Sequence, residues 1–173
     1  MQAPLIKAIN LRKTFNDRKK GVVKAVQNVS FEAYAGEIFG LLGPNGAGKT
    51  TALRMLATIL SPTDGTAEIN GFDISQNPDG VRKSLGFLSG DTGLYARLSA
   101  KEMISYFGEL YGLEQDYIDQ RVQSLIEELE LESFIDRRCA KLSTGQKQKV
   151  SIARTVVHNP PVLVLDEPSS GLD

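Results

Sequence analysis

The chain has 173 residues, of which 41% are hydrophobic and 24% charged, and its net charge is −1. That length and composition suit one domain with a buried core, and the near-neutral balance gives no electrostatic reason to expect nucleic acid. A single cysteine, Cys139, excludes an internal disulfide and fits a reducing compartment; no signal peptide is visible, and no apolar run approaches the ~20 residues a membrane span needs.

The chain opens with two segments that alternate in the manner of strands, residues 5–11 and 22–31, with a charged loop from Asn16 to Gly21 between them. The apolar run Ile38-Phe39-Gly40-Leu41-Leu42 reads as a buried strand. It leads into Gly43-Pro44-Asn45-Gly46-Ala47-Gly48-Lys49-Thr50, and then into residues 51–60, which read as a helix. Strand, glycine loop, helix is the context in which G-x-x-x-x-G-K-[ST] cradles phosphate. Three glycines let the backbone bend so that successive N–H groups face one anion. The helix N-terminus adds its partial positive charge. Lys49 can then reach the β- and γ-phosphates, and the Thr50 hydroxyl can ligate Mg²⁺.

Pro62 and Gly65 end the first helix. Residues 66–70 form a short strand closed by Gly71, and residues 85–88 form a buried one. The character then changes. Ser99-Ala100-Lys101-Glu102 is a capping box, followed by Met103, Phe107 and Leu110 at helical spacing. Asp116 opens a further helix with Ile118, Val122, Leu125 and Leu129 on one face. Core packing of a small helical subdomain accounts for this stretch. Charge follows the same division: residues 1–60 carry nine Lys/Arg against three Asp/Glu, and residues 109–136 carry one Arg against nine acids. Solvated faces suffice to explain it.

Leu142-Ser143-Thr144-Gly145-Gln146 precedes a helix bearing Val150, Ala153 and Val157, and Ser143 or Thr144 can cap it. Such a helix end offers free N–H groups and the Ser143 hydroxyl to an anion. His158, at that helix's C-terminal end, reads as structural. Val162-Leu163-Val164-Leu165 is apolar enough to be a strand buried on both faces of a parallel sheet, and it ends in Asp166-Glu167. Ligands of such sheets sit at the carboxyl ends of the strands. Asp166 is therefore placed to hold Mg²⁺ through water, and Glu167 to polarise an attacking water.

With these three motifs in order, the chain resembles the ATP-binding subunit of an ABC transporter along nearly all its length. Residues 43–50 match the Walker A motif, and residues 142–146 match the signature Leu-Ser-Gly-Gly-Gln with Thr144 in third place. Asp166 and Glu167 match the Walker B aspartate and the catalytic glutamate. Ser170-Gly171-Leu172-Asp173 resembles the D-loop, and Phe15 matches the aromatic that stacks on adenine. The resemblance implies an α/β P-loop NTPase of ABC type: a mixed-sheet core with an N-terminal antiparallel β subdomain and an inserted α-helical subdomain. The core would comprise residues 1–92 and 159–173, and the helical subdomain with the signature helix residues 93–158. The family normally continues past the D-loop, so the expectation is a single partial domain lacking its C-terminal part.

The implied nucleotide contacts are Phe15, Gly43, Asn45, Gly46, Ala47, Gly48, Lys49, Thr50, Thr51, Ser143, Gly145 and Gln146. Thr50 and Asp166 would hold Mg²⁺, and Glu167 would be catalytic. The resemblance further implies ATP hydrolysis by a homodimer or paired ATPase domain. Walker A of one copy and the signature of the other would enclose each ATP. A membrane-spanning exporter subunit would be the partner, met at the cytoplasmic face of the membrane, with no nucleic acid involved. One departure is that the family's glutamine after the strand containing Phe87 is replaced by Gly90, with Asp91 beside it. That loop and the Ser-Thr-Gly signature look most like the sodium-export type. Two alternatives stay open. One is a non-transport ABC ATPase of the translation-factor or repair type, although no heptads are sustained between Lys49 and Leu142. The other is a fragment that binds nucleotide without turnover.

Overall fold

The structure is a computed structural model that describes residues 3–19, 21–90 and 93–167. They fall into two compact units, up to Leu85 and from Gly86 onward.

The first unit is built on an antiparallel sheet of β1 (Ile6–Asp17), β2 (Gly21–Ala33), β3 (Asp64–Ile69) and β4 (Phe72–Asp73), in the order β2-β1-β3-β4. The strands reach further into the expected charged loop than the alternation suggests, because Asn16 and Asp17 pair with Val22 and Gly21. The β1–β2 ladder slips where Lys13 pairs with Val26 and Thr14 with Lys24, which leaves Ala25 as an extra residue on β2. Such a bulge re-aims the backbone. Asn70 and Gly71, both at positive φ, turn β3 back into β4, the turn chemistry that Asn-Gly favours.

Helix α1 spans Lys49–Leu56, four residues short of the expected end. Ala57 is its C-cap, and Thr58 follows at φ 58. The Thr58 N–H bonds to the Met55 carbonyl at 3.0 Å and the Ile59 N–H to that of Arg54 at 2.9 Å. This Schellman closure ends the helix before the proline does. Arg82, on α2 (Pro78–Ser84), donates to the Thr58 hydroxyl at 3.0 Å and so holds a β-branched residue where glycine is usual.

Residues 38–42 do not form the expected strand. They join no ladder among the described residues; Ile38 is 103% exposed and Leu42 93%. Apolar character creates strand propensity, but a buried strand also needs neighbours to pair its backbone and to cover its faces. Phe39 stacks on Phe31 at 4.9 Å, and Leu41 is half-buried.

The second unit contains β5 (Leu85–Ser89) from its second residue, α3 (Ala100–Leu110), α4 (Gln115–Leu129), a 3₁₀ turn at Cys139–Lys141, α5 (Thr144–Val156) and β6 (Val162–Asp166). Strands β5 and β6 are neighbours. Helix α3 starts as expected: Ser99 accepts from the Glu102 N–H, and Glu102 accepts from the Ser99 N–H at 2.7 Å. Its inward face differs, however. Ala100, Met103, Ile104 and Gly108 are buried while Leu110 is exposed, because the stripe turns through Ile104 and Gly108 rather than Leu110. Gly108 leaves room for Ile118, which a Cβ there would meet at 2.9 Å. On α4, Ile118, Val122 and Leu125 are buried and Leu129 packs against the same core. Cys139 is part of that core, and burial pushes its thiol up.

The strand β6 corrects a second expectation. Val162, Val164 and Asp166 are buried, but Leu163 and Leu165 are about half exposed. Only one face is covered by the described residues, so the run behaves as a one-sided strand. Before β6, His158 stacks on Tyr111 with ring centroids 3.6 Å apart.

Candidate nucleotide site

The glycine loop in the first unit is shaped by backbone geometry that its glycines alone allow. Gly46 and Gly48 have φ of 83° and 88°, values that L side chains rarely adopt. At Gly48 there is a second constraint. A Cβ there would lie 2.0 Å from the Ala25 carbonyl oxygen and 3.1 Å from the Val26 side chain. The bulge on β2 thus turns Ala25 against the loop, and no side chain fits between them. Gly46, by contrast, faces open space. The loop tightens where the Ala47 N–H bonds to the Pro44 carbonyl at 3.1 Å.

Gly48 is also the N-cap of α1 and makes no side-chain cap. A helix N-terminus of this kind favours an anion. The Lys49 ammonium bends back over its own loop and donates to the carbonyls of Gly43 at 2.6 Å and Pro44 at 3.0 Å. Asn45 lies exposed on the loop, and Thr50 and Thr51 are half-buried in the first turn of α1. Phe15, on β1 opposite Val23, is 40% exposed.

The remaining candidates lie in the second unit. Ser143 is the N-cap of α5: its hydroxyl accepts from the Gln146 N–H at 3.3 Å, and Gln146 accepts from the Ser143 N–H at 3.0 Å. This is a reciprocal capping box, so Ser143 rather than Thr144 caps the helix. The S-x-x-Q spacing carried that signal in the sequence. Around Gly145 a Cβ would meet open space. Asp166 ends β6 at 8% exposure, and Glu167 follows, exposed, at φ 51. A non-glycine residue in that region is uncommon and is found disproportionately at functional sites. Gly90 stands exposed just after β5; Asp91 and the D-loop-like residues 170–173 lie outside the described residues.

One interaction carried no sequence signal. The buried Arg154 of α5 lies 5.1 Å from the Phe107 ring and donates to the Gly93 carbonyl at 3.2 Å, which ties α5 to α3 and to the segment after Gly90.

The family model described as ABC transporter matches residues 26–170. The chain belongs to the ABC transporter family. This ABC cassette is 44% identical over 170 residues to the ABC transporter ATP-binding protein NatA of Bacillus subtilis strain 168, covering 98% of this chain and 69% of NatA. It is 39% identical to an uncharacterized ABC transporter ATP-binding protein, MJ1023, of Methanocaldococcus jannaschii, covering 98% of this chain and 58% of that one. The chain thus spans roughly three fifths to two thirds of these relatives. Among solved structures it resembles the dimeric post-hydrolysis state of the ATP-binding cassette MJ0796 bound to ADP and Pi. The TM-score is 0.85 at 28% identity, over 97% of this cassette and 76% of that chain. The fold is accordingly that of an ABC ATPase cassette.

Proposed function

We propose that this cassette binds ATP in its glycine loop and, paired with a second such domain, hydrolyses it to drive a membrane-spanning exporter subunit. The observation that carries the reading is the loop at Gly48: a left-handed glycine pressed on Ala25, followed by a helix end without a side-chain cap and by Lys49. A structural turn needs the glycine alone; a phosphate cradle also uses the helix N-terminus and the ammonium that lies over the loop. In this reading Gly43, Asn45, Gly46, Ala47 and Gly48 wrap the phosphates with backbone N–H groups, and Thr50 and Thr51 extend the cradle. Lys49 exchanges its two carbonyl partners for phosphate oxygens, a charge-assisted bond. Phe15 stacks on adenine.

The donor set suits a hard divalent cation. Thr50 offers a hydroxyl oxygen and Asp166 a carboxylate oxygen, and Mg²⁺ needs few protein ligands because it keeps waters and takes phosphate oxygens. Bound there, the ion would neutralise phosphate charge. Glu167 is the general base that takes a proton from the attacking water. Ser143, Gly145 and Gln146 at the N-terminus of α5 face the ATP held by the other copy, where the helix end favours an anion. The open space at Gly145 supports a close approach there, and the solved MJ0796 cassette is itself dimeric. Hydrolysis then separates the pair.

In this reading a membrane-spanning subunit is the partner; no described helix is long and apolar enough to cross a membrane. The cassette would work at the inner face of the membrane, with no part for nucleic acid. The first test is calorimetry of Mg-ATP binding to the intact protein. Lys49→Ala should weaken affinity at least about tenfold, since it removes a hydrogen bond to a charged group. Equal affinity in mutant and parent would overturn the assignment.

A further inference from the structure

We infer that Lys13 is a positioning residue that holds the Phe15 ring as a preformed platform for a purine base. The inference rests on the reading of Phe15 given above. The Lys13 ammonium lies over the Phe15 ring, 5.2 Å from its centroid, within cation–π range. The same ammonium donates to the Ser61 carbonyl at 2.7 Å. Residues 13 and 15 are two apart on β1 and so project to one side of the strand. Thr14, between them, is tied to the same loop: its N–H donates to the Thr63 hydroxyl at 3.0 Å, and the two hydroxyls are 3.3 Å apart. The loop after α1 therefore clamps β1 immediately beside the ring.

Two consequences follow for a stacked base. First, the ring is ordered before any ligand arrives, which lowers the entropy cost of binding. Second, a cation on one face draws π density toward itself, and the electron-poorer ring then suits an electron-rich purine on its uncovered side. The ring is 40% exposed, so apolar surface remains for that contact. The position also fits. Phe15 pairs with Val23, and two residues further along β2 is Ala25, whose carbonyl abuts Gly48. At about 3.3 Å per residue, platform and phosphate loop are separated by ~7 Å along one strand. Ser61 and Thr63 follow α1, the helix that the phosphate loop starts. Lys13 thus ties the base platform and the phosphate cradle into one frame.

The test compares binding of Mg-ATP with binding of inorganic tripolyphosphate, which has no base, in the intact protein. Lys13→Gln should weaken ATP about threefold and leave tripolyphosphate unchanged. Lys13→Arg should preserve ATP affinity, because a guanidinium still covers the ring. Phe15→Ala should cost about tenfold for ATP alone, and adding Lys13→Gln to it should cost nothing more. The inference is overturned if Lys13→Gln weakens both ligands alike, leaves ATP binding at the parental level, or adds its full effect to Phe15→Ala, or if Lys13→Arg fails to preserve affinity. Parental ATP binding by Phe15→Ala would instead remove the stacking role of Phe15 itself, and the inference with it.

Discussion

The helical unit and the glycine-loop unit treat their apolar residues differently. In the former, Met103, Ile104, Ile118, Val122, Leu125 and Val150 are essentially fully enclosed. In the latter, Leu11, Met55, Leu56 and Ile69 are as fully enclosed, but Ile38 and Leu42 stand in solvent directly before the loop. Helices satisfy their own backbone groups and need only one another's apolar faces to become a core. A strand must borrow hydrogen-bond partners from its neighbours. Apolar helices can thus close on one another, whereas the loop is set against β2 at Ala25. Both units thus enclose apolar side chains, and the candidate site residues are placed at element ends: the start of α1, the start of α5 and the end of β6.

That division can be broken or sharpened by substitution. The largest effect should come from Glu167→Gln in the intact protein. Turnover should fall about 10²–10⁴-fold, the usual contribution of a general base, with Mg-ATP affinity and unfolding midpoint unchanged. Parental ATPase rates would remove Glu167 from the mechanism. The counterpart in the core is Leu125→Ala. It should destabilise the intact protein by about 2–5 kcal/mol in urea titration while the folded fraction still binds ATP normally. Loss of affinity in step with stability would show that core and site are not separable.

Two glycines sharpen the case for the loop. Gly46→Ala meets only the cost of left-handed backbone, about 1–2 kcal/mol. Gly48→Ala meets that cost and the Ala25 carbonyl as well, so its Mg-ATP affinity should fall further; equal losses would mean that the β2 contact is irrelevant to the loop. Ser143→Ala removes the cap of α5 and should cost about 1 kcal/mol of stability by denaturant titration. A change much smaller than that would mean that the box does not form in solution. The smallest effect is electrostatic. Burial pushes the Asp73 carboxyl up, but bonds from the Thr66 hydroxyl and the N–H groups of Gln76 and Ser75 outweigh it and hold it below its ordinary value. A carboxyl lowered in the folded state contributes stability above its unfolded pKa and loses it as pH falls through the folded one. Asp73→Asn should therefore show a shallower loss of stability below about pH 4 than the parent. Superimposable pH profiles would show that these bonds have no net effect on the carboxyl.

Much of the local structure around the candidate site was legible because its signals are short-range. Glycine spacing, the S-x-x-E and S-x-x-Q boxes, the 3.6-residue stripe of Ile118, Val122 and Leu125, and an apolar run ending in Asp166 all lie within single elements, so local chemistry determined them. What crosses between elements was decided by tertiary structure. The bulge that presses Ala25 on Gly48, the bond from Lys13 to Ser61 that sets the ammonium over Phe15, and the Arg82 contact that lets Thr58 close α1 each join residues far apart in sequence. Residues 38–42 and β6 mark the same boundary. Apolar composition says that a segment would gain from burial, but which of its faces and edges are covered depends on what the rest of the fold brings against it.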